Sequence, residues 1–130
     1  MSRSTVVVLL ALALLVGACG GLTRPPKVIT EQDNGKTIEV ETGDAVDVVL
    51  EASPSTGYQW AYTNANLEVI MQIRDPEFKA DSSLLGAEGK VTWHFKAART
   101  GNKVVRMVYH KPDEPEDQST KVLEFTIVVK

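Results

Sequence analysis

The sequence alternates apolar and polar residues in short runs that are separated by turn-forming residues. In the run 91–96, for example, Val91, Trp93 and Phe95 alternate with polar side chains. A period of two places successive side chains on opposite faces of a β-strand. No window keeps apolar residues at helical spacing between capping residues, so the pattern predicts an all-β fold.

Seven runs of this kind are predicted as strands. They cover residues 38–40, 46–50, 58–62, 67–73, 91–96, 105–109 and 123–129. Short strands with regular turns are typical of a β-sandwich, here antiparallel and of about seven strands. It has no disulfide, because the chain contains a single cysteine. Alternation also places Trp60 and Trp93 in the core and His94 on the solvent face.

The first 18 residues are predicted to be a secretion signal and not part of the fold. Arg3 precedes an unbroken apolar run at 6–16, which is too short to span a hydrocarbon core of ~30 Å as a stable helix. The run ends in the residues VGAC at 16–19. Small residues before a cysteine resemble the bacterial lipobox, in which the cysteine is lipidated. An ordinary signal peptide with an incidental cysteine is the alternative.

These features divide the chain into three predicted parts. A lipoprotein signal peptide covers 1–18, a lipid-anchored tether and lead-in covers 19–35, and one folded domain covers 36–130. The 112 residues that follow the signal suit a single domain. We expect export across the inner membrane and anchoring through lipidated Cys19. The protein would face the periplasm from an outer membrane if its source has two membranes, and would otherwise lie on the cell surface.

Composition argues against several classes of partner and chemistry. The formal net charge of −3 becomes −4 when Arg3 leaves with the signal, and the basic residues form no cluster. Nucleic acid is therefore not expected as a partner. No histidine or cysteine has a partner at metal-ligand spacing, so neither a metal nor another cofactor is expected. Without a nucleophile–base constellation the chain is not expected to be an enzyme.

Three distinctive loops are predicted to meet at one end of the sandwich, provided that each connection reverses the chain. We name them the proline loop (52–57), the glycine loop (about 75–89) and the acidic loop (110–120). The connections at the opposite end are short. Elaborate loops gathered at one end of a rigid scaffold are typical of a binding site.

The proline loop and the strand after it read SPSTGYQW at 53–60. Pro54 fixes one backbone angle, and Gly57 permits a positive one. Ser55 and Thr56 can form local hydrogen bonds to the backbone. Such a loop is stiff and loses little entropy on binding, although a turn of this composition can also serve only to connect two strands.

This string resembles the signature of the chagasin-type inhibitors of cysteine proteases, which commonly reads Asn-Pro-(Ser/Thr)-Thr-Gly-aromatic-x-Trp. Residues 54–58 and Trp60 match the signature. Ser53 stands where asparagine is usual, and serine caps such a turn more weakly.

Two further elements of that family occur in order on the other two loops. Gly86 and Gly89 match a Gly-x-Gly-Gly element, with Glu88 in place of a glycine. The third family element is Arg-Pro-Trp. Here it is represented by the residues KPD at 111–113, where proline and the basic charge are kept and Asp113 replaces the tryptophan.

The resemblance spans about residues 37–129 and identifies the chain as a bacterial lipoprotein member of that family. It implies an immunoglobulin-like sandwich that inhibits papain-family cysteine proteases reversibly and competitively. The proline loop would cover the catalytic centre, while the flanking loops grip the cleft walls. The partner would be a papain-like cysteine protease, bound by a monomer. The implied protease-binding residues are Pro54, Ser55, Thr56, Gly57, Tyr58, Gly86, Ala87, Glu88, Gly89, Lys111, Pro112 and Asp113.

Departures from the family pattern keep a second hypothesis open. Ser53, Glu88 and Asp113 are its main support, and fold alone does not determine function. On this hypothesis the chain is a non-inhibitory immunoglobulin-like binding or structural envelope lipoprotein. The missing tryptophan removes an aromatic anchor of the kind that dominates interface energetics. The acidic loop also predicts a preference for proteases with basic clefts, and its acidic run is interpreted as a solvated loop in preference to a calcium site.

Overall fold

The computed structural model describes residues 24–63, 68–115 and 118–130. Two three-residue 3₁₀ turns cover Glu31–Asp33 and Pro54–Thr56. Within these ranges no helix is long and apolar enough to cross a membrane. Cys19 and the predicted signal lie outside the described residues. The strands are β1 (Lys27–Thr30), β2 (Thr37–Val40), β3 (Ala45–Ala52), β4 (Gln59–Tyr62), β5 (Ile70–Ala80), β6 (Gly89–Ala97), β7 (Gly101–His110) and β8 (Lys121–Val129).

The strands form two four-stranded sheets. The first has the order β1-β3-β6-β5, and the second has the order β2-β8-β7-β4. Most neighbours are antiparallel, but β1 pairs in parallel with β3 and β2 pairs in parallel with β8. The predicted all-β fold is confirmed, with one strand more than expected and a parallel pair at one edge of each sheet.

Both sheets bury their alternate apolar side chains in a single core. From the first sheet come Val46, Val48 and Leu50 of β3, which are almost completely buried. Their counterparts on β8 in the second sheet include Phe125. Because the period of two sends one set of side chains inward, each strand presents an apolar face to the opposite sheet. Trp60 and Trp93 also belong to this core, as predicted.

β1 lies inside the segment 19–35 that was predicted to be a tether and lead-in. It pairs with residues 46–49 of β3, and its Ile29 is fully buried in the core. The folded region therefore extends at least to Lys27 and does not begin at residue 36. Its residues KVIT place Val28 and Ile29 side by side and show no alternation, and its partner β3 is not adjacent to it in sequence. Only the tertiary pairing therefore identifies it.

β5 continues through residues that were expected to begin the glycine loop. The strand reaches Ala80, which leaves a glycine loop of residues 81–88. Pro76 does not end β5, because the pairing with β6 shifts register between Arg74 and Glu77. Proline has no backbone N–H to donate. A bulge on an edge strand accommodates it, because no inter-strand hydrogen bond is required from the backbone at that position.

His94 is buried, so the prediction of a surface histidine is wrong. Only 6% of the residue is exposed, although the alternation places it on the face of β6 opposite the core. Its Nδ1 donates a hydrogen bond to Asp47 Oδ1 at 2.8 Å, because a carboxylate can only accept. β6 lies between β3, which carries Asp47, and β5. Two side chains of β5 lie against the imidazole ring: Arg74 Nη2 is 3.2 Å from Nδ1, and Glu77 Oε2 is 3.7 Å from Nε2. Neighbouring strands thus cover a side chain that strand periodicity assigns to solvent.

We expect Asp47→Ala to destabilise the fold, because it leaves the buried His94 N–H without its acceptor. The free energy of unfolding should fall by about 1–3 kcal/mol, as measured by urea denaturation. Glu51→Ala is the matched control, since Glu51 is an exposed acidic residue on the same strand, and its effect should stay within about 0.5 kcal/mol. Equal losses in the two variants would contradict a stabilising role for the His94–Asp47 bond.

Candidate functional site

The three distinctive loops lie at the same end of the sandwich, and residues 53–58 contact both of the other loops. Ser55 Oγ donates a hydrogen bond to the Gly86 carbonyl oxygen at 3.3 Å, which joins the proline loop to the glycine loop. On the other side, Lys111 Nζ lies 5.4 Å from the centroid of the Tyr58 ring, within cation–π range. We call the surface formed by residues 53–58, 81–88 and the described part of 111–120 the loop edge.

The backbone of the proline loop is closed by its own hydrogen bonds. The Gly57 N–H donates to the Pro54 carbonyl oxygen at 3.0 Å, and the Thr56 N–H donates to the Ser53 carbonyl oxygen at 3.0 Å. The Thr56 hydroxyl donates to that same carbonyl oxygen at 2.6 Å. Gly57 has φ 82° and ψ −3°, a left-handed conformation that glycine adopts without steric cost. These bonds hold residues 53–57 in a compact turn.

Ser53 is held through its backbone and not through its side chain. The expected capping of the turn by the serine hydroxyl is absent. Instead the Ser53 N–H donates to the Tyr109 hydroxyl at 2.9 Å, and the Thr56 hydroxyl binds the Ser53 carbonyl oxygen. A side chain from β7 therefore anchors the position where the family signature commonly has asparagine.

Tyr109 supports the proline loop from both of its ends. Its ring centroid lies 5.4 Å from that of Tyr58 and 5.2 Å from that of Trp60. The Trp60 Nε1 in turn donates to the Glu51 carbonyl oxygen at 2.8 Å, at the end of β3. The alternation at 105–109 predicts Tyr109 as a strand residue but does not indicate this role. The relevant signal is the cross-strand pairing of Tyr109 with Trp60, which is known only once the register is known.

Gly86 and Gly89 each require glycine, but for different structural reasons. Gly86 has φ 73°, so its backbone conformation favours glycine. Gly89 is the buried first residue of β6, and a Cβ there would lie 2.2 Å from the Lys79 carbonyl oxygen. The absence of a side chain at Gly89 thus lets β5 pack closely against β6, behind the loop edge. A hydrogen bond from the Asp81 N–H to the Glu88 carbonyl oxygen, 2.9 Å long, closes the loop at its base.

Two leucines at the tip of the glycine loop were not predicted as site residues. Leu84 is 75% exposed, and Leu85 is fully exposed. Their signal in the sequence is a pair of consecutive apolar residues inside a polar loop. Contiguous exposed apolar surface can mark an interaction site.

The acidic loop begins with a turn that presents Pro112 and Asp113 to solvent. The Glu114 N–H donates to the Lys111 carbonyl oxygen at 3.0 Å, and Lys111 Nζ lies 3.7 Å from Glu114 Oε1. Lys111 is therefore held between this carboxylate and the Tyr58 ring. The acidic residues at 116 and 117 lie outside the described residues.

A cavity of about 370 Å³ lies between the proline loop and the base of the glycine loop. Carboxylates of Glu51, Asp81 and Glu88 line it together with Lys121 and Tyr109. Lys121 Nζ lies 5.6 Å from the Tyr109 ring centroid, so a cation opposes the negative charge of the cavity. In the described part of the chain, no group of three or more histidine, cysteine or acidic residues could hold a metal ion.

Comparison with known proteins relates the chain to one family. A family model described as Chagasin family peptidase inhibitor I42 matches residues 39–129. Chagasin of Trypanosoma cruzi is 29% identical over 107 residues, which cover 78% of this chain and 94% of chagasin. Amoebiasin-2 of Entamoeba histolytica is 22% identical over 109 residues, which cover 79% of this chain and 85% of amoebiasin-2.

Solved structures share the fold. The cysteine protease inhibitor EhICP2 of Entamoeba histolytica superposes with a TM-score of 0.71 at 20% identity, covering 80% of this chain and 95% of EhICP2. PbICP-C, solved in complex with falcipain-2, superposes with a TM-score of 0.53 at 16% identity, covering 85% of this chain and 95% of its own. The predicted immunoglobulin-like sandwich is confirmed.

We expect Tyr109→Phe to loosen the proline loop while leaving the aromatic packing in place. The variant removes the acceptor of the Ser53 N–H, so the Ser53 amide should exchange its hydrogen faster. The free energy of unfolding should fall by about 0.5–1.5 kcal/mol. Hydrogen exchange measured by NMR and urea denaturation check the two effects.

Tyr58→Phe is the matched control for this variant, because the Tyr58 hydroxyl makes no hydrogen bond to another described residue. Exchange at Ser53 should stay unchanged in the control. If Tyr109→Phe left that exchange rate unchanged as well, the hydroxyl would not be what holds the loop.

Proposed function

Because this chain belongs to the chagasin family of peptidase inhibitors, we propose that it is a reversible, competitive inhibitor of papain-family cysteine proteases. The family consists of inhibitors, so the prediction that the chain is not an enzyme is confirmed. The observation that carries the proposal is the loop edge, where the Ser55–Gly86 and Lys111–Tyr58 contacts join the loops that bear the three family elements.

The geometry of the proline loop suits a segment that blocks a proteolytic centre without being cut. Cleavage requires that the scissile carbonyl lie in a near-attack position beside the nucleophile. Residues 54–56 form a 3₁₀ turn, and Gly57 is left-handed, so the backbone is folded where a substrate would be extended. Inhibition is competitive because residues 54–58 occupy the place of the substrate, and it is reversible because no covalent bond forms.

The stiffness of the loop edge favours binding. A segment already held in its bound shape loses little conformational entropy when it enters a cleft. Both ends of the proline loop contact Tyr109, and its middle is tied to the glycine loop through Ser55. Less of the interaction energy is therefore consumed in ordering the loop.

The flanking loops contribute unequal chemistry to the proposed interface. Leu84 and Leu85 offer exposed apolar surface on the glycine loop, and burying a leucine side chain stabilises a complex by roughly 1.5–3 kcal/mol at most. Pro112 and Asp113 offer a polar turn in place of the aromatic anchor of the family pattern. We infer that, of the two flanking loops, the glycine loop supplies most of the apolar contact area with the protease. A cysteine protease as partner is supported by the PbICP-C structure, which contains falcipain-2.

We also propose that Cys19 is lipidated and holds the inhibitor at a membrane surface, because the residues VGAC at 16–19 resemble a lipobox. A diacylglyceryl chain pair anchors firmly, since each buried methylene contributes ~0.8 kcal/mol. Mass spectrometry of the protein expressed in a bacterium should detect a diacylglyceryl group on Cys19. Cys19→Ser should move the protein from the membrane fraction to the soluble fraction. An unmodified cysteine would contradict this proposal.

Inhibition itself is tested by titrating papain-family proteases with the full-length chain, purified in detergent. We expect competitive and reversible inhibition, and we expect Gly57→Arg to raise the inhibition constant more than about 100-fold. The arginine side chain would project from the loop edge at a glycine with positive φ.

Gly43→Arg is the matched control for Gly57→Arg. Gly43 also has a positive φ, with open space around it, but it precedes β3 at the opposite end of the sandwich. Both variants place an arginine at a positive φ, and only Gly57→Arg should lose inhibition. A wild-type chain that inhibits no papain-family enzyme at ~50 μM, which corresponds to only about 6 kcal/mol of binding, would contradict the proposal and favour the non-inhibitory lipoprotein.

A further inference from the structure

Beside the proline loop, the sandwich is open between the free edges of its two sheets. β5 is the last strand of the first sheet, and β4 is the last strand of the second. A groove of about 290 Å³ lies between them. Its lining is mainly apolar and includes Pro54, Tyr58, Trp60, Pro76, Phe78 and Trp93.

The bulge of β5 lies at the groove. The four residues of β4 pair with residues 107–110, at the end of β7 nearest the loop edge, so β4 reaches the groove and lines it with Gln59 and Trp60. On the opposite wall, the pairing of β5 with β6 shifts register between Arg74 and Glu77. Pro76, inside this shift, and Phe78 line that wall.

Phe78 is the side chain that this opening leaves uncovered. It pairs with Val91 of β6, and Val91 packs against the core cluster, so Phe78 lies on the inward face of its sheet. Yet 43% of Phe78 is exposed. The core of this protein therefore leaves much of the Phe78 ring uncovered. An apolar group of a partner can bury that exposed surface.

We propose that this groove is a specificity subsite of the inhibitor, which takes an apolar side chain from the rim of the target protease's cleft. The inference rests on the proposed function, because the groove and the loop edge share the proline loop. Pro54, Gly57 and Tyr58 line the groove and also form the predicted protease-binding turn. A protease that seats its catalytic centre against this turn brings its cleft rim beside the groove.

The size and chemistry of the groove determine what it accepts. A volume of about 290 Å³ suits one or two large side chains and is too small for a helix of ~10 Å diameter. The apolar lining favours an aliphatic or aromatic side chain and penalises a charged one, which would lose its hydration. The subsite compensates for the aromatic anchor that is missing at Asp113.

A protease rim is favoured over a second copy of this chain. Pairing between copies would use the free edge of β5, but this edge carries two register shifts and a proline. Bulges and prolines on an edge strand oppose edge-to-edge association.

Phe78→Glu tests the subsite, because it places a charge on the groove wall. Against the papain-family enzyme that the wild-type chain inhibits best, we expect the inhibition constant to rise about 10-fold to 100-fold. Phe78→Leu keeps an apolar wall and should stay within about threefold of the wild-type constant.

Val28→Glu is the matched control, since Val28 is 53% exposed on β1 at the far edge of the same sheet, and it should inhibit like the wild type. Urea denaturation checks that the variants are folded, and Phe78→Ser replaces Phe78→Glu if the latter does not fold.

The outcomes separate this inference from the proposed function. If Gly57→Arg abolishes inhibition while Phe78→Glu or Phe78→Ser leaves it unchanged, the subsite is overturned and the proposed function stands. An equal loss in Val28→Glu would overturn the subsite too, because the effect would then be one of net charge. A free wild-type dimer in sedimentation that Phe78→Glu dissociates, with inhibition intact, would assign the groove to a second copy and overturn the inference. A wild-type chain that inhibits no papain-family enzyme would remove both proposals.

Discussion

The loop edge depends on one buried side chain, Tyr109 of β7. Its hydroxyl accepts the hydrogen bond from the Ser53 N–H where the chain leaves β3, and its ring packs on Tyr58 and Trp60 where the chain enters β4. The proline loop is thereby held at both ends by the same residue. Because β7 continues into the acidic loop one residue later, two of the three loops share a common base. A small displacement of Tyr109 would move both of them.

The shape of the loop edge is determined by backbone geometry more than by reactive groups. Hydrogen bonds within the proline loop, the left-handed Gly57 and the Asp81–Glu88 closure of the glycine loop set the shape of the edge. Gly89 contributes from behind, since its missing side chain lets β5 approach β6. A rigid edge of this kind presents a surface to a partner and requires no nucleophile. This agrees with membership of a family of peptidase inhibitors.

At two positions where the sequence departs from the family pattern, 53 and 113, the structure shows which neighbouring groups take over the local role. At position 53, serine replaces asparagine, and the anchoring falls to Tyr109 and to the Thr56 hydroxyl. At position 113, aspartate replaces tryptophan, and the exposed apolar surface of this end lies instead on Leu84, Leu85 and the groove beside Phe78. The exposed apolar surface at this end therefore lies on the glycine loop and β5 and not on the acidic loop.

The sequence by itself determined the fold class, the core tryptophans and the shared location of the three loops. Period-two alternation assigns side chains to faces, and a chain that reverses at each turn brings every second connection to the same end. Only the tertiary structure decided the pairing of β1 with β3, the length of β5, the burial of His94 and the role of Tyr109. The pairing of β1, the burial of His94 and the role of Tyr109 depend on contacts with strands that are not adjacent in sequence, and the length of β5 depends on its register against β6. Short-range periodicity contains no information about which strands lie side by side or in which register. The groove could not be predicted from the sequence for the same reason, because it lies between the edge strands of two different sheets.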